Sequence, residues 1–221
     1  MSKVEIANAS PEWKQRFVGI SKVIKGVFGP NCVAVHHIGS TAVKGLCAVP
    51  VIDVLLVVKD LLLAKTKRAE WEAIGYELAE ACDGAHDSFF IQSAEVHIRV
   101  LEKSNQKGID RLLAVRDYLR THPQEMGEYA QLKWRLAAEC AFDREGYGNG
   151  KRAFLQALEE KALAYKKQTE RQGFCMALGM CFGSCFGACL GIALGNIGIG
   201  MCFGVAIGMS VGLAVGAYKK K

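Results

Sequence analysis

The stretch 36-HHIGSTAVKGLCAVPVID-53 decides how the front of this chain is read. An extended run stops at Gly39, a hydroxyl pair follows at Ser40-Thr41, and a lone aspartate, Asp53, sits in a second apolar run. A strand that ends at His37 or Ile38 and breaks at Gly39 leads straight into a helical turn at Ser40-Thr41. Backbone amides there point outward, and a phosphate can rest on them with both hydroxyls in reach. Gly39 removes the side chain that would hold the phosphate away. Asp53 falls within the next strand, where a carboxylate can coordinate a Mg²⁺ that bridges to the same phosphates. A Gly-Ser pair alone is also an ordinary strand-to-helix turn, so the neighbouring elements matter.

Working outward, residues 32–36 and 50–58 read as strands, the second apolar enough to be buried on both faces. Upstream, a helix is expected over 11–27. Ser10 can cap it, Pro11 suits its first turn, and Phe17, Ile20, Val23, Ile24 and Val27 recur at helical spacing. Gly29-Pro30-Asn31 stops it. Downstream, 60–74 is helical in pattern and ends at Gly75, and short strands are expected near 76–78, 88–92 and 96–101. Helices over 111–120, 123–141 and 144–167 complete the front part. A small mixed sheet with helices before and after it is an α+β plan.

The chain has 221 residues, 51% hydrophobic and 23% charged, enough apolar material to bury a core. The average hides a division. From Gly173 to Tyr218 there is no Asp, Glu, Lys, Arg or His. All 22 acidic residues and 25 of the 28 basic ones precede that tail, leaving the front part near +3. This is no surplus for sequence-specific nucleic-acid binding, and a solvated surface accounts for it. Cys32, Cys47, Cys82 and Cys140 are widely spaced, without metal-ligand pattern, and read as reduced thiols of a cytosolic domain. The N-terminus lacks the apolar core of a signal peptide.

Residues 4–160 resemble the GrpB family of nucleotidyltransferase-like proteins, whose members carry a phrase close to HIGSTAVPGLxAKPIID. The family's opening Pro-x-Trp is similar to Pro11-Glu12-Trp13, and its late strand resembles Val96-His97-Ile98-Arg99-Val100 followed by Glu102. Its helical ending resembles Arg116-Asp117-Tyr118-Leu119-Arg120, His122-Pro123, Glu128-Tyr129, Leu132-Lys133, Asp143-Arg144, Tyr147 and Gly150-Lys151. The resemblance implies a nucleotidyltransferase fold and a nucleotide or other phosphorylated small molecule as ligand, with Mg²⁺. The superfamily pattern asks for Gly-Ser, about ten residues, then Asp-x-Asp/Glu. Twelve residues separate Ser40 from Asp53, so the spacing fits, but the second acidic position holds Leu55. Two-metal phosphoryl chemistry wants carboxylates on both ions, and this strand supplies one. Lys44 stands where relatives usually carry proline, Val49 where they carry lysine, and Arg99 where histidine is common. Some relatives join the GrpB domain to dephospho-CoA kinase, which points to adenine nucleotide metabolism without fixing a substrate.

The candidate site therefore has Asp53 as metal ligand, Asp53 and His97 as catalytic groups, and Gly39, Ser40, Thr41, Lys44 and Arg99 as ligand-binding groups. His97 and Arg99 alternate on one face of a strand and can share a cleft with Asp53. Glu95, His36 and His37 complete the list of candidates, one of the two histidines expected in the core and the other at the turn.

The tail has glycines at 179, 183, 187, 191 and 195, then at 200, 204, 208, 212 and 216. Each series keeps a spacing of four, and the register breaks once, over 195–198. Two helices of about 21 residues joined by a turn would each rise about 30 Å, the thickness of a bilayer core. Each glycine costs a helix in water about 1 kcal/mol relative to alanine; in lipid, small residues instead let helices approach closely. Cys181, Cys185 and Cys189 fall on the face opposite the glycines. Lys166, Lys167 and Arg171 precede the hairpin and Lys219–Lys221 follow it, which places both ends in the cytoplasm.

The expected organisation is a GrpB-like domain over 1–167, a linker over 168–173 and a glycine-zipper transmembrane hairpin over 174–218, attached to the cell membrane. Its function is read as nucleotide and Mg²⁺ binding, with nucleotidyl transfer left open. Two alternatives stand beside it: a non-catalytic nucleotide sensor, and a membrane protein that homo-oligomerises through its zipper.

Overall fold

The structure, a computed structural model, describes residues 4–73, 75–80 and 88–218. Cys82, Ile74 and Lys219–Lys221, on which expectations were placed, lie outside the described residues.

The central strand is β2 (Ile52–Val58), apolar at every position but Asp53. It lies between β1 (Cys32–Ile38), antiparallel to it, and β5 (Val96–Glu102), parallel to it. Beyond β5 come β4 (Ser88–Gln92) and β3 (Glu77–Glu80), both antiparallel, giving a five-stranded mixed sheet in the order β1-β2-β5-β4-β3. Alternation along β2 divides its residues between two cores. Ile52, Val54, Leu56 and Val58 pack with Ile98 and Val100 against Trp13, Ile24 and Phe28 of α1 (Glu12–Phe28) and Trp71 of α3 (Arg68–Ala73). Leu55 and Val57 pack with Ile38 and Leu101 against Ile109 of α4 (Gln106–Thr121). Asp53 shares the second face but sits at the end of the strand, where its side chain stays 39% exposed.

The strands expected from the sequence are all found, the α+β plan with them. The helices differ in detail. Phe17, Ile20, Ile24 and Val27 pack on the core as expected, joined by Trp13 and Phe28, while Val23 is 47% exposed and lies outside the stripe. The helix expected over 60–74 is two helices, α2 (Leu61–Lys65) and α3. Asp60 caps α2, its Oδ1 accepting from Leu63 N at 3.0 Å. The Thr66 hydroxyl donates to the Leu63 carbonyl and Lys67 N–H to that of Ala64, tightening the chain before α3 begins. α5 (Pro123–Glu139) follows α4 closely, with proline in its first turn. α6 (Arg144–Ala193) runs for 50 residues through 168–173, where a linker was expected. Residues 168–172, Gln-Thr-Glu-Arg-Gln, contain neither proline nor glycine, and Gly173 alone does not stop a helix.

The chain divides into two compact units, Met1–Ala162 and Leu163–Lys221. In the second, α6 turns back into the 21-residue α7 (Ile197–Ala217) through residues 194–196. Gly195 takes φ +74°, and Asn196 Oδ1 caps α7 by accepting from Ile199 N at 3.1 Å. The two helices meet glycine to glycine. A Cβ on Gly204 would strike the Gly183 carbonyl oxygen and stand 2.7 Å from Gly187 Cα; one on Gly183 would strike the Gly204 carbonyl and stand 3.0 Å from Gly208 Cα. Large side chains point the other way: Phe182, Phe186 and Phe203 are 73%, 71% and 63% exposed. Cys181, Cys185 and Cys189 are exposed too.

Because Gly204 faces backbone and Gly173 faces open space, the two should respond oppositely to a side chain. In detergent, Gly204→Leu is expected to lower the thermal midpoint of helix loss by several degrees, read by far-ultraviolet circular dichroism. Gly173→Leu should leave it unchanged or raise it. Equal effects would mean that the glycine contact does not hold the pair together.

Candidate functional site

β1 ends at Ile38, directly opposite Asp53 on β2. The chain then turns sharply: Gly39 has φ +69° and ψ −168°, and a 3-10 turn occupies Ser40–Ala42. A Cβ at Gly39 would run into Asp53 Oδ2 and lie 2.9 Å from Asp53 Cβ. Glycine is thus required twice, by backbone angle and by space. Two arginines of α4 hold the turn from the side. Arg116 Nη1 donates to the His37 carbonyl at 3.2 Å, and Arg120 donates to the Ala42 carbonyl from Nη2 at 2.8 Å and Nε at 3.2 Å. Such charge-assisted bonds are about twice as strong as neutral ones.

Below the turn, His37 is buried, stacked on Phe17 with ring centroids 4.7 Å apart and 8° between planes. Its Nε2 lies 3.0 Å from Thr41 Oγ1. Burial pushes His37 down to about 4; the nearby Asp53 opposes this, and Arg120 and Arg116 reinforce it. A neutral imidazole therefore braces the turn at ordinary pH. One residue thus fills both roles expected of the histidine pair, core and turn. His36 pairs across with Leu55, and burial, with Arg116, lowers it as well. The Thr41 hydroxyl is engaged by His37 and is 7% exposed, which makes it part of the scaffold.

The parallel register between β2 and β5 sets His97 beside Asp53 and Arg99 beside Leu55. His97 Nδ1 stands 3.7 Å from Asp53 Oδ1, both side chains partly exposed. The Arg99 guanidinium lies over the Phe90 ring, 4.6 Å from its centroid. Gly39, Ser40, Asp53, His97 and Arg99 all line one cleft of about 960 Å³, roofed by residues of α4 and α6. Lys44 is exposed and lines neither this cleft nor the smaller one described next. Glu95 is turned to Arg16, at 2.7 Å. Leu55 is fully buried between Ile38, Leu101 and Ile109. Among the described residues, no group of three or more His, Cys, Asp and Glu side chains converges as a metal-binding cluster.

A smaller cleft of about 280 Å³ shares Ser40, Asp53 and His97 with the first and adds Lys133 from α5 and Tyr147 and Lys151 from α6. Lys133 is 2% exposed, donates to the Cys47 carbonyl, and lies over the Tyr129 ring, 4.5 Å from its centroid. Burial brings it down to about 8. Lys151 lies over the Tyr147 ring at 4.2 Å, and burial lowers it too, against the pull of Asp53. Tyr129 is pushed up to about 12 by burial, partly offset by a hydrogen bond with Ser40. The sequence reading gave neither lysine a role. Both stand four residues after a tyrosine, a repeated Tyr-x-x-x-Lys that was the available signal.

Residues 3–161 match the family described as GrpB protein. Over 168 residues the chain is 34% identical to the UPF0157 protein YqkA of Bacillus subtilis, covering 75% of this chain and 49% of YqkA. It is 32% identical to the UPF0157 protein BH1888 of Halalkalibacterium halodurans, covering 74% and 84% respectively. The chain thus spans about half the length of YqkA and most of BH1888. Among solved structures, the conserved protein GrpB from Enterococcus faecalis superposes with a TM-score of 0.70 at 30% identity, covering 73% of this chain and 99% of that one.

His37 makes the site sensitive to acid. Its ordinary value is 6.5 and its folded value about 4, so between the two the unfolded chain binds a proton that the folded chain refuses. Stability then falls as pH drops from about 6.5 toward 4. Urea unfolding across that window should show the loss, and His37→Gln should flatten it. An unchanged slope in the variant would show that His37 is not the group responsible.

Proposed function

The chain belongs to the GrpB family, and from that premise we propose that its front domain has a nucleotidyltransferase fold and binds a nucleotide with one Mg²⁺ over Asp53. The observation that carries this reading is the convergence of Gly39, Ser40, Asp53, His97 and Arg99 on one cleft of about 960 Å³. That is the upper end of the ~300–1,000 Å³ usual for small-molecule sites. Gly39 and Ser40 offer close backbone approach and a hydroxyl to a phosphate, and Arg99 offers a cation on the same side of the sheet. Asp53 fits a Mg²⁺ that arrives on the phosphates, since this ion is commonly held by one or two carboxylates plus substrate oxygens and water. Bound there, the ion would neutralise charge on the phosphates. His97, which lines the same cleft, would take a proton from an acceptor hydroxyl.

Leu55 favours binding over turnover. The residues fit one ion and not two, because the second acidic position of the strand is a buried leucine. Transfer is therefore slow or absent, and the domain works as a nucleotide-binding module.

We read residues 174–218 as its membrane attachment and a homo-oligomerisation surface, with both chain ends cytoplasmic. α6 and α7 are long and apolar enough to cross a membrane, and their apolar windows are only 11% and 17% buried. A core helix of a soluble protein would be mostly covered. The flanking Lys166, Lys167 and Arg171 favour a cytoplasmic start.

Two measurements test the two halves. Full-length protein in detergent is titrated with ATP, GTP, CTP and UTP, with and without Mg²⁺. Asp53→Asn should weaken binding about tenfold, or 1.4 kcal/mol, only when Mg²⁺ is present; Ser40→Ala should weaken it in both conditions. If neither changes affinity, the turn is scaffold alone. For topology, tags at both ends should be shielded in sealed vesicles whose cytoplasmic side faces inward. A C-terminal tag that labels from outside would overturn the hairpin.

A further inference from the structure

The two clefts meet at Ser40, Asp53 and His97, which line both. Two of the larger cleft's cations are held in ion pairs, and the two lysines of the smaller one are not. In the larger one, Arg111 pairs with Glu159 at 2.6 Å and Arg116 with Asp117 at 2.7 Å. In the smaller one, neither Lys133 nor Lys151 has a carboxylate at ion-pair distance among the described residues, and the exposed Arg144 lines the same space. Each lysine instead rests on the tyrosine one helical turn before it, at 4.5 Å and 4.2 Å. A nearly fully buried ammonium with one carbonyl acceptor and an aromatic face is incompletely satisfied, since it carries three donors. Burying a charge without a counter-charge is costly. Losing the proton relieves that cost, and so does an anion entering the cleft that Lys133 lines.

Resting on the nucleotide reading of the larger cleft, we propose that the smaller one is a second anion subsite, opposite the nucleotide across Asp53. It would hold the phosphate of a second, small reactant through Lys133, Lys151 and Arg144. Its volume of about 280 Å³ lies just under the ~300 Å³ lower bound for small-molecule pockets. That suits a small phosphorylated acceptor. Asp53 and His97 would then stand between donor and acceptor, where a transfer or a paired-ligand sensor needs them.

The test uses full-length protein in detergent and inorganic phosphate as the probe, measured by calorimetry with and without saturating ATP and Mg²⁺. Wild type should bind phosphate equally well in both conditions. Lys133→Gln and Lys151→Gln should each weaken phosphate about tenfold or more while leaving ATP affinity within about twofold. Lys151 is the less buried of the two, so its variant keeps the test sound if Lys133→Gln fails to fold. Displacement of phosphate by ATP would overturn the proposal, because the lysines would then serve the nucleotide's own phosphates. Equal phosphate affinity in wild type and Lys151→Gln would overturn it as well. If ATP does not bind at all but phosphate binding depends on the lysines, the nucleotide reading fails and the anion subsite stands.

Discussion

No side chain fits at position 39, because the Asp53 carboxylate occupies the space. The rest of the site follows from that contact. Ile38 pairs with Asp53 across the β1–β2 ladder, so the chain must leave the sheet directly above the carboxylate. A φ of +69° lets it do so within one residue, and only glycine adopts that angle without strain. The 3-10 turn that results is pinned by Arg116 and Arg120 from one side and by His37 through Thr41 from below. The turn therefore comes with the Asp53 carboxylate already packed against it.

Asp53 and Leu55 lie two residues apart on the same face of β2, yet one is 39% exposed and the other fully buried. The difference comes from what covers each. Ile109 of α4 closes over Leu55 together with Ile38 and Leu101, while Asp53 falls past the end of that cover. A carboxylate at 55 would have to be desolvated beneath α4, which costs several kcal/mol without a partner. The leucine therefore belongs to the core of this domain. Where Asp53 opens onto the smaller cleft, α5 and α6 bring Lys133 and Lys151 to the same space.

What could be read from the sequence tracks how local the determining forces are. The strands were legible because apolar runs such as that of β2 can only be central in a sheet. That His97 and Arg99 share one face was legible as alternation, but the parallel register that sets His97 beside Asp53 was not, because alternation does not say which strands pair. Val23 was misread because helical spacing names a stripe but not which edge of it meets the sheet. The break at Thr66 depends on a side-chain hydrogen bond that periodicity does not encode. Beyond their shared Tyr-x-x-x-Lys spacing, nothing in the sequence joined Lys133 to Lys151, for a stronger reason. They lie 18 residues apart on different helices, and only the packing of α5 and α6 against the sheet brings them to one cleft.

The same residue type that admits a carboxylate at position 39 admits a second backbone in the tail. Between α6 and α7 glycine meets glycine, and the space for a Cβ is already filled by carbonyl oxygens and Cα atoms of the opposite helix. The interface is thus made of backbone packing, with little apolar side-chain area to remove from water. The area lies outside instead, on Phe182, Phe186, Phe203 and their neighbours. Each such side chain left in water forgoes about 1.5–3 kcal/mol, and each interface glycine costs its helix about 1 kcal/mol. In water both terms oppose the pair. In an apolar medium the first disappears, the backbone must pair with itself in any case, and close glycine contact becomes the favourable term that remains. The hairpin is thus built inside out, with its glycines between the helices and its large apolar side chains on the outer surface.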